Sequence, residues 1–258
     1  MAPMQSSLVY FPEPGPVVSA GRVLPGGRDV TLRTEDGLEL GAWLFPPVAG
    51  QGRPEDRRTA VLFAPGNGGH REGRVTLFVA LASRGFTVLG LDYRGYAGNP
   101  GWPSEDGLAA DARAGAALLR AEGFTPERTI YLGESLGTGV VARLATTHLP
   151  AALALRSPFT CLVDVAKHLY GWLPVEALLR DRFEEVEQLR RLPVPITVIR
   201  GSADSIVPNH LSARVAAAVT NLFEDLELPG VDHNDMVMVG PVVADAVVRL
   251  AESAVPAI

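Results

Sequence analysis

Three polar side chains in the second half of the sequence, Ser135, Asp204 and His233, could together carry out nucleophilic catalysis. A serine hydroxyl attacks a carbonyl carbon when a histidine takes its proton and an acid orients that histidine. Each of the three follows an apolar segment that is typical of a strand, so parallel strands would bring them to one edge of a sheet. The pattern indicates acyl transfer, with the serine as nucleophile, the histidine as general base and the aspartate as its orienting acid.

The serine lies at the centre of a Gly-x-Ser-x-Gly motif, Gly133-Glu134-Ser135-Leu136-Gly137. The apolar run before it, 129–132, predicts a strand, and the small-residue run after it, 138–145, predicts a helix. Strand, tight turn and helix are the context of a nucleophile elbow, and the chain order serine, aspartate, histidine belongs to the same arrangement. An ordinary strand-to-helix turn is the alternative interpretation of the motif.

Other residues compete for the acid and base roles. Asp204 could instead cap the helix that begins near Pro208, and His233 could be a surface histidine in a loop. Asp232 and Asp235 are rival acids, but residues so close in sequence to the histidine are poorly placed to reach its ring. The remaining histidines have no acid at a matching strand end and are interpreted as ordinary: His70, His148, His168 and His210.

Two backbone N–H groups are expected to stabilise the oxyanion that forms during acyl transfer. One belongs to Leu136, the residue after the nucleophile. The other should come from the glycine-rich loop 65–69, whose glycines let the backbone approach a ligand closely, and we predict the N–H of Asn67. A phosphate-binding loop is the alternative, but this loop has neither the G-x-G-x-x-G spacing nor the Lys-Ser/Thr ending that such loops have.

The segments that position these residues alternate between strand and helix from residue 60 onward. This alternation is typical of a mostly parallel sheet with helices on both faces. Apolar runs predict buried strands at 60–64, 86–92, 129–132, 151–156, 196–200 and 225–228. A hairpin over 29–34 and 38–45 precedes them and completes a predicted eight-stranded α/β fold. Ser104 is expected to cap the helix that starts at Glu105, and a final helix is predicted over 236–253.

Two segments fall outside this alternation. Residues 1–28 are rich in proline and glycine and predict an extended surface arm ahead of a single domain over 29–258. Residues 157–192 predict two or three short helices that lie over the active edge as a cap-like insertion. A helix packed on the sheet as part of its second layer is the alternative for that segment.

The composition limits the class of protein. A chain of 258 residues with 47% hydrophobic residues can bury a sizeable core. The formal net charge is −6 and no basic stripe is present, so a nucleic-acid partner is not expected. The single cysteine, Cys161, excludes an internal disulfide, and no metal-ligand spacing or cofactor motif is found. The first seven residues lack a signal-peptide pattern and no apolar run has the roughly 20 residues of a membrane span, so we expect a cytoplasmic protein.

The motifs resemble those of the α/β-hydrolase superfamily of serine hydrolases, over essentially the whole chain from residue 29. The resemblance is carried by Phe63–Asn67, Asp92–Gly98, Gly133–Gly137, Ser157–Phe159, Gly201–Pro208 and Gly230–Asp235. It implies an α/β-hydrolase fold and ester or thioester hydrolysis by the triad of Ser135, Asp204 and His233. One departure is Pro65, which stands where compact esterases and thioesterases of this superfamily have a histidine that braces the oxyanion loop.

The sequence does not name the acyl or alcohol group of a substrate, and it leaves the oligomeric state open. Thioesterase and peptidase activities use the same machinery and stay possible. A ligand-binding protein that keeps the fold with little or no turnover is a second hypothesis, suggested by Pro65. The leading hypothesis is a serine hydrolase, without a cofactor, that cleaves a small or medium carboxylic ester.

Overall fold

The computed structural model describes residues 6–48 and 56–256. Its strands are β1 (Phe11–Pro12), β2 (Arg28–Arg33), β3 (Glu39–Phe45), β4 (Ala60–Ala64), β5 (Gly68–Gly69), β6 (Thr87–Gly90), β7 (Thr129–Glu134), β8 (Ala152–Arg156), β9 (Ile196–Gly201) and β10 (Leu222–Leu228). Its α-helices are α1 (Ser6–Val9), α2 (Ala20–Val23), α3 (Val75–Ala82), α4 (Glu105–Ala121), α5 (Leu136–Ala145), α6 (Leu162–Leu169), α7 (Val175–Leu178), α8 (Glu185–Leu189), α9 (Asn209–Ala218) and α10 (Pro241–Ala254).

An eight-stranded sheet runs through the protein in the order β10-β9-β8-β7-β4-β6-β3-β2. The strands from β10 to β6 are parallel to their neighbours, whereas β2 and β3 are antiparallel. Every residue of β4, β7 and β8 is buried, because helices cover both faces of a parallel sheet and each strand must be apolar throughout. The predicted mostly parallel, eight-stranded sheet is confirmed, and the carboxyl ends of six strands share one edge.

The two faces of the sheet pack against different helices because successive side chains of a strand point to opposite sides. Leu62 of β4 joins a core formed with α4, α5 and α9. Val61 and Phe63, its neighbours in the strand, join a second core formed with α3 and α10. The predicted helices therefore lie in two layers, and the sheet edge between the layers stays open to hold a site.

The ends of two helices test the sequence signals for capping. Ser104 caps α4 as expected, since its Oγ accepts a hydrogen bond from the Gly107 N–H at 3.1 Å. The final helix predicted over 236–253 is wrong at its start. Residues Met236–Val239 form a separate 3₁₀ turn, and α10 begins at Pro241 after an extended Gly240. Proline has no N–H and a fixed φ, so it favours the first helical position over a place inside a longer helix.

The segment between β8 and β9 contains the three short helices α6, α7 and α8. Hydrogen bonds join this segment to α4, where Oε2 of Glu105 accepts from the backbone N–H groups of Arg182 and Phe183 at 2.7 and 3.1 Å. Phe183 is buried against Gly139 of α5, where an added Cβ would lie 2.9 Å from the ring. Residues 157–192, predicted as a cap-like insertion, thus pack in part against the helix that follows the Gly-x-Ser-x-Gly motif.

The N-terminal arm differs from the extended surface arm predicted for residues 1–28, of which 1–5 lie outside the described residues. Two short helices, α1 and α2, interrupt it, and Val9 and Tyr10 are buried. The β1 strand pairs in parallel with β5 of the glycine-rich loop, with Phe11 opposite Gly68. The apolar residues Val9 and Tyr10 among the prolines and glycines explain the difference, because burying them favours contact with the domain. No described helix is long and apolar enough to cross a membrane.

Phe78 of α3 offers a test of the core on one face of the sheet. Its ring lies 5.2 Å from that of Phe63 and 5.9 Å from that of Phe45, and it fills the space beside Gly90. We expect Phe78→Ala to lower the free energy of unfolding by about 3–5 kcal/mol, because the cavity cannot collapse against a sheet. Urea denaturation measures this change.

Phe223→Ala is the control for that experiment, because Phe223 lies on edge strand β10 and is 42% exposed. Its cost should stay below about 1 kcal/mol, as for most surface substitutions. Equal losses for the two variants would contradict the described packing of the core.

Candidate active site

Ser135 joins β7 to α5 in a strained turn. Its φ of 51° and ψ of −119° lie in a region that side chains rarely adopt, which costs about 1–3 kcal/mol. The turn is held by close backbone packing, since an added Cβ at Gly137 would lie 2.1 Å from the Ala64 carbonyl oxygen and one at Gly133 would lie 2.6 Å from Gly137. The Ser135 N–H also donates to the Arg156 carbonyl at 2.8 Å. These contacts hold the serine at the carboxyl end of β7.

The imidazole of His233 is bonded to the carboxylate of Asp204. Nδ1 lies 2.8 Å from Oδ2 and 3.0 Å from Oδ1, and both residues are buried. Burial would raise the pKa of Asp204, but the hydrogen bond and charge of His233 and the donors around the carboxylate outweigh burial and lower it. Since an ionised carboxylate only accepts, Nδ1 carries the hydrogen and Nε2 is left as the ring's basic nitrogen.

Three further donors fix the Asp204 carboxylate. The backbone N–H groups of Ile206 and Val207 bond Oδ1 at 3.0 and 2.7 Å, and the hydroxyl of Ser157 bonds Oδ2 at 2.9 Å. The sequence indicates Ser157 only as part of a strand-end motif, without a role of its own. Ser157 has a φ of 51°, so the backbone is strained at a second position along this edge. The bond from its hydroxyl leaves the Asp204 carboxylate little freedom to rotate.

The strands place the serine and the Asp204–His233 pair along the same edge. Ser135 follows β7, Asp204 follows β9 and His233 follows β10, and these strands lie in the order β10-β9-β8-β7. Among the described residues, no hydrogen bond joins the serine hydroxyl to the imidazole. In unliganded active sites such bonds are often long and tighten only when a substrate is bound.

A buried arginine links the two halves of this site. Arg156, at the end of β8, is 2% exposed, and its Nη2 donates to the carbonyl oxygen of His233. Its Nη1 lies 3.5 Å from Oε1 of Glu134, the residue before the serine, and Arg74 bonds the same carboxylate at 2.5 Å. Burial would raise the pKa of Glu134, but the charges of the two arginines lower it to about 2. The sequence signal that could have found this link is a pair of charged residues ending two otherwise apolar strands.

The rival acids and the other histidines have different partners. Asp232 accepts from the Ser205 N–H and hydroxyl and from the His233 N–H, and Asp235 accepts from the Asp232 N–H, so neither bonds the imidazole ring. His70 caps the 3₁₀ turn that follows it by accepting the N–H of Glu72 at 3.3 Å. Among the described residues, no group of three histidine, cysteine, aspartate or glutamate side chains could hold a metal ion.

The glycine-rich loop is braced from two sides. The carbonyl of Asn67 accepts hydrogen bonds from the Phe11 N–H and the Tyr96 hydroxyl, both at 2.9 Å, and its amide group donates to the Val9 carbonyl. The Tyr93 hydroxyl donates to the Pro65 carbonyl at 2.9 Å. Tyr93, Tyr96 and the N-terminal arm thus hold the loop around Pro65, the residue that replaces the histidine of similar esterases.

The N–H groups predicted to hold an oxyanion are those of Asn67 and Leu136. Within the described residues, neither donates a hydrogen bond to a protein acceptor. Gly66 lets the loop approach the serine, since an added Cβ there would lie 3.5 Å from the Ser135 Cβ. One of these N–H groups follows the serine directly in the chain, and the other belongs to the loop that approaches it.

An apolar cavity of about 50 Å³ opens beside the serine. Residues of the N-terminal arm, α6, α7 and the loop after Asp204 form its walls, and no charged side chain is among its described lining. The lining consists of Leu8, Val9, Phe11, Asn67, Ser135, Leu136, Phe159, Leu162, Val165, Ala166, Leu169, Tyr170, Val175, Leu179, Ile206 and Val207. Its apolar walls suit a hydrocarbon group better than a charged one.

Known proteins similar to this chain include enzymes and proteins without an assigned role. An uncharacterized protein of Mycobacterium tuberculosis is 48% identical over 254 residues, which are 97% of this chain and 89% of that protein. A lysophosphatidylserine lipase of Danio rerio is 30% identical over 217 residues, and this chain spans 56% of its length.

The fold is shared with solved structures at low sequence identity. An esterase of Pyrococcus furiosus superposes with a TM-score of 0.71 at 18% identity, over 95% of this chain and 98% of that one. An alpha-beta hydrolase of Vibrio vulnificus superposes with a TM-score of 0.72 at 22% identity, over 88% of this chain and 81% of that one. Residues 55–183 match the family model Hydrolase_4, described as serine aminopeptidase, S33. The chain belongs to this family of α/β-hydrolases.

Proposed function

We propose that this protein is a serine hydrolase that cleaves carboxylic esters, or thioesters, through an acyl-enzyme at Ser135. The observation that carries the proposal is the buried Asp204–His233 pair, which lies at the sheet edge where the strained turn presents the serine. A buried carboxylate bonded to Nδ1 stabilises the imidazolium that forms when Nε2 takes a proton. A protein that only binds a ligand has no use for a general base.

The proposed reaction has two halves. The serine oxygen attacks the ester carbonyl carbon while the histidine Nε2 accepts its proton. The same nitrogen then returns the proton to the departing alcohol or thiol, which leaves the acyl group on Ser135. Water repeats the sequence against the acyl-enzyme, with His233 again as base, and releases the carboxylic acid.

The charge on the carbonyl oxygen needs donors that are already in position. The free N–H groups of Asn67 and Leu136 are proposed for this role, and the loss of one such donor costs about 10²–10³ in kcat in other hydrolases. The bonds from Tyr96 and Phe11 to the Asn67 carbonyl hold that peptide unit in place, so its N–H need not reorganise when charge develops. These bonds support an ordered loop despite the proline at position 65, which is the feature that suggested a binding protein.

The substrate is proposed to be an ester with an apolar acyl chain. The cavity beside Ser135 has apolar walls, and its described lining offers no carboxylate that could bind the free ammonium group of an aminopeptidase substrate. The relative from Danio rerio is a lipase by name, and a lysophospholipid carries one acyl chain on an ester. The family description names an aminopeptidase, so the two substrate classes should be compared directly.

The first prediction concerns the nucleophile. A fluorophosphonate probe should label the wild-type protein on one serine, and Ser135→Ala should abolish labelling and lower ester hydrolysis by roughly 10⁴-fold or more. Intact-mass and peptide mass spectrometry measure the site. The control is Ser83→Ala, outside the active edge, which should be labelled as the wild type is. An unlabelled wild-type protein, or a label that persists in Ser135→Ala, would contradict the proposal.

The second prediction concerns the braced loop. Tyr96→Phe removes one hydrogen bond to the Asn67 carbonyl, and we expect kcat to fall about 2- to 10-fold with a smaller change in KM. Tyr131→Phe is the control, because Tyr131 is also a buried tyrosine and its hydroxyl makes no hydrogen bond among the described residues. If both variants keep the wild-type kcat, Tyr96 does not hold the oxyanion loop.

The third prediction concerns the acyl cavity. Across p-nitrophenyl esters, kcat/KM should rise up to about 4-fold per added methylene until the cavity is filled, since each buried CH₂ contributes about 0.8 kcal/mol. Ala166→Phe, in the wall of the cavity, should shift the optimum to shorter chains. Ala177→Phe, which is exposed on α7, should leave the optimum unchanged. Faster cleavage of aminoacyl anilides than of every ester would instead favour a peptidase.

A further inference from the structure

A series of buried hydrogen bonds connects helix α8 to the backbone of Ser135. Thr138, in the first turn of α5, is fully buried, and its Oγ1 lies 2.6 Å from the Ser135 carbonyl oxygen. The same Oγ1 lies 2.8 Å from Oε2 of Glu185, which is the first residue of α8 and is 0% exposed. The Phe159 N–H reaches Oε2 at 3.4 Å, and Oε1 has no partner among the residues that the structure describes.

The number of hydrogens available to these groups fixes which group donates in each hydrogen bond. A threonine hydroxyl has one hydrogen to donate, and a carbonyl oxygen can only accept. The Ser135 carbonyl also accepts the Thr138 backbone N–H at 2.8 Å, but that hydrogen does not lie between the two oxygens. The 2.6 Å contact therefore uses the hydroxyl hydrogen of Thr138. The short contact with Oε2 then needs a hydrogen from the other side, so the Glu185 carboxyl must carry a proton.

The surroundings of Glu185 favour the same state. Burial raises its pKa to about 8, against the lowering effects of the Thr138 and Phe159 hydrogen bonds, and no charged group contributes. The charged groups of the elements packed around it have other partners or are exposed: Arg143 of α5 bonds Asp106, Arg190 of α8 pairs with Glu187, Arg214 of α9 pairs with Asp164, and Glu184 and His210 are exposed. A buried carboxylate with no cation beside it is costly, whereas the neutral acid is tolerated.

We propose that Glu185 is a neutral carboxylic acid that positions the nucleophile, by donating its proton to Thr138 and so fixing the hydroxyl that holds the Ser135 carbonyl. It touches no substrate, so it is a positioning residue rather than a catalytic one. Its effect on turnover rests on the proposed function of Ser135. Its protonation and its effect on folding do not, and they can be measured without a substrate.

The proposal predicts a pH dependence with a defined sign. Because the pKa of Glu185 is higher in the folded chain than the ordinary 4.5 of the unfolded chain, the folded protein keeps a proton that the unfolded chain releases between these values. The stability that Glu185 contributes is complete below the unfolded-state pKa of 4.5. It is lost as the pH rises through the folded-state pKa of about 8. Ionisation also leaves one threonine hydrogen for two acceptors, so kcat should fall at alkaline pH.

The test compares Glu185→Gln with the wild type and with Glu187→Gln. The glutamine keeps a donor toward Thr138 but cannot ionise, and Glu187 is an exposed acid on the same helix. We expect Glu185→Gln to retain most of the wild-type kcat at neutral pH and to lose the alkaline decline. Its melting temperature should fall less than that of the wild type between about pH 5 and about pH 9, whereas Glu187→Gln should follow the wild type.

Glu185→Leu removes the donor, and we expect kcat to fall roughly 10-fold with little change in KM, because a small displacement of the nucleophile is costly. The infrared difference spectrum of wild type against Glu185→Gln should contain the carbonyl stretch of a protonated carboxylic acid at neutral pH. A missing band, together with equal pH dependence of melting in wild type and Glu185→Gln, would overturn the proposal. A protein with the band but no esterase activity would contradict the proposed function and leave the protonated Glu185 standing.

Discussion

The contact of α5 with the end of β4 is the constraint on which the proposed site depends. Gly137 lies so close to the Ala64 carbonyl that no side chain fits there, and the strained backbone of Ser135 follows from this approach. The strain costs about 1–3 kcal/mol and persists only because the contacts around it over-determine the turn. The same approach brings the glycine-rich loop after β4 next to the serine, so one close contact sets both the nucleophile and the donors proposed for its oxyanion.

Buried polar groups hold this edge of the sheet together. Arg156 joins Glu134 to the backbone of His233, Ser157 holds the carboxylate of Asp204, and Tyr96 holds the peptide of Asn67. Each buried polar group that loses its partner costs about 1–3 kcal/mol, so these bonds define one arrangement and penalise others. The bonds from Tyr93, Tyr96 and the N-terminal arm also explain why the glycine-rich loop tolerates Pro65. They hold the loop without a contribution from the side chain at position 65.

Much of the fold could be predicted from the sequence because its signals are local. Fully apolar runs such as 60–64 and 151–156 indicate buried parallel strands, and the chain order of Ser135, Asp204 and His233 indicates which strand ends share an edge. Burial of the arm was missed because Val9 and Tyr10 lie among prolines and glycines that indicate a surface segment. Glu185 was missed for a related reason, since it lies in a charged run, 180–191, in which the neighbouring acids Glu184 and Glu187 are exposed. Only tertiary packing distinguishes one buried acid from its exposed neighbours.

The most direct measurement of the central claim is the structure of the protein after reaction with a fluorophosphonate that carries a medium-length alkyl chain. We expect phosphorus bonded to the Ser135 oxygen, the alkyl chain in the cavity below α6, and the phosphoryl oxygen about 3 Å from the N–H groups of Asn67 and Leu136. His233 Nε2 should then face the oxygen of the adduct, with Nδ1 still bonded to Asp204. An adduct whose phosphoryl oxygen points away from both N–H groups, with the imidazole turned from the serine, would contradict the claim.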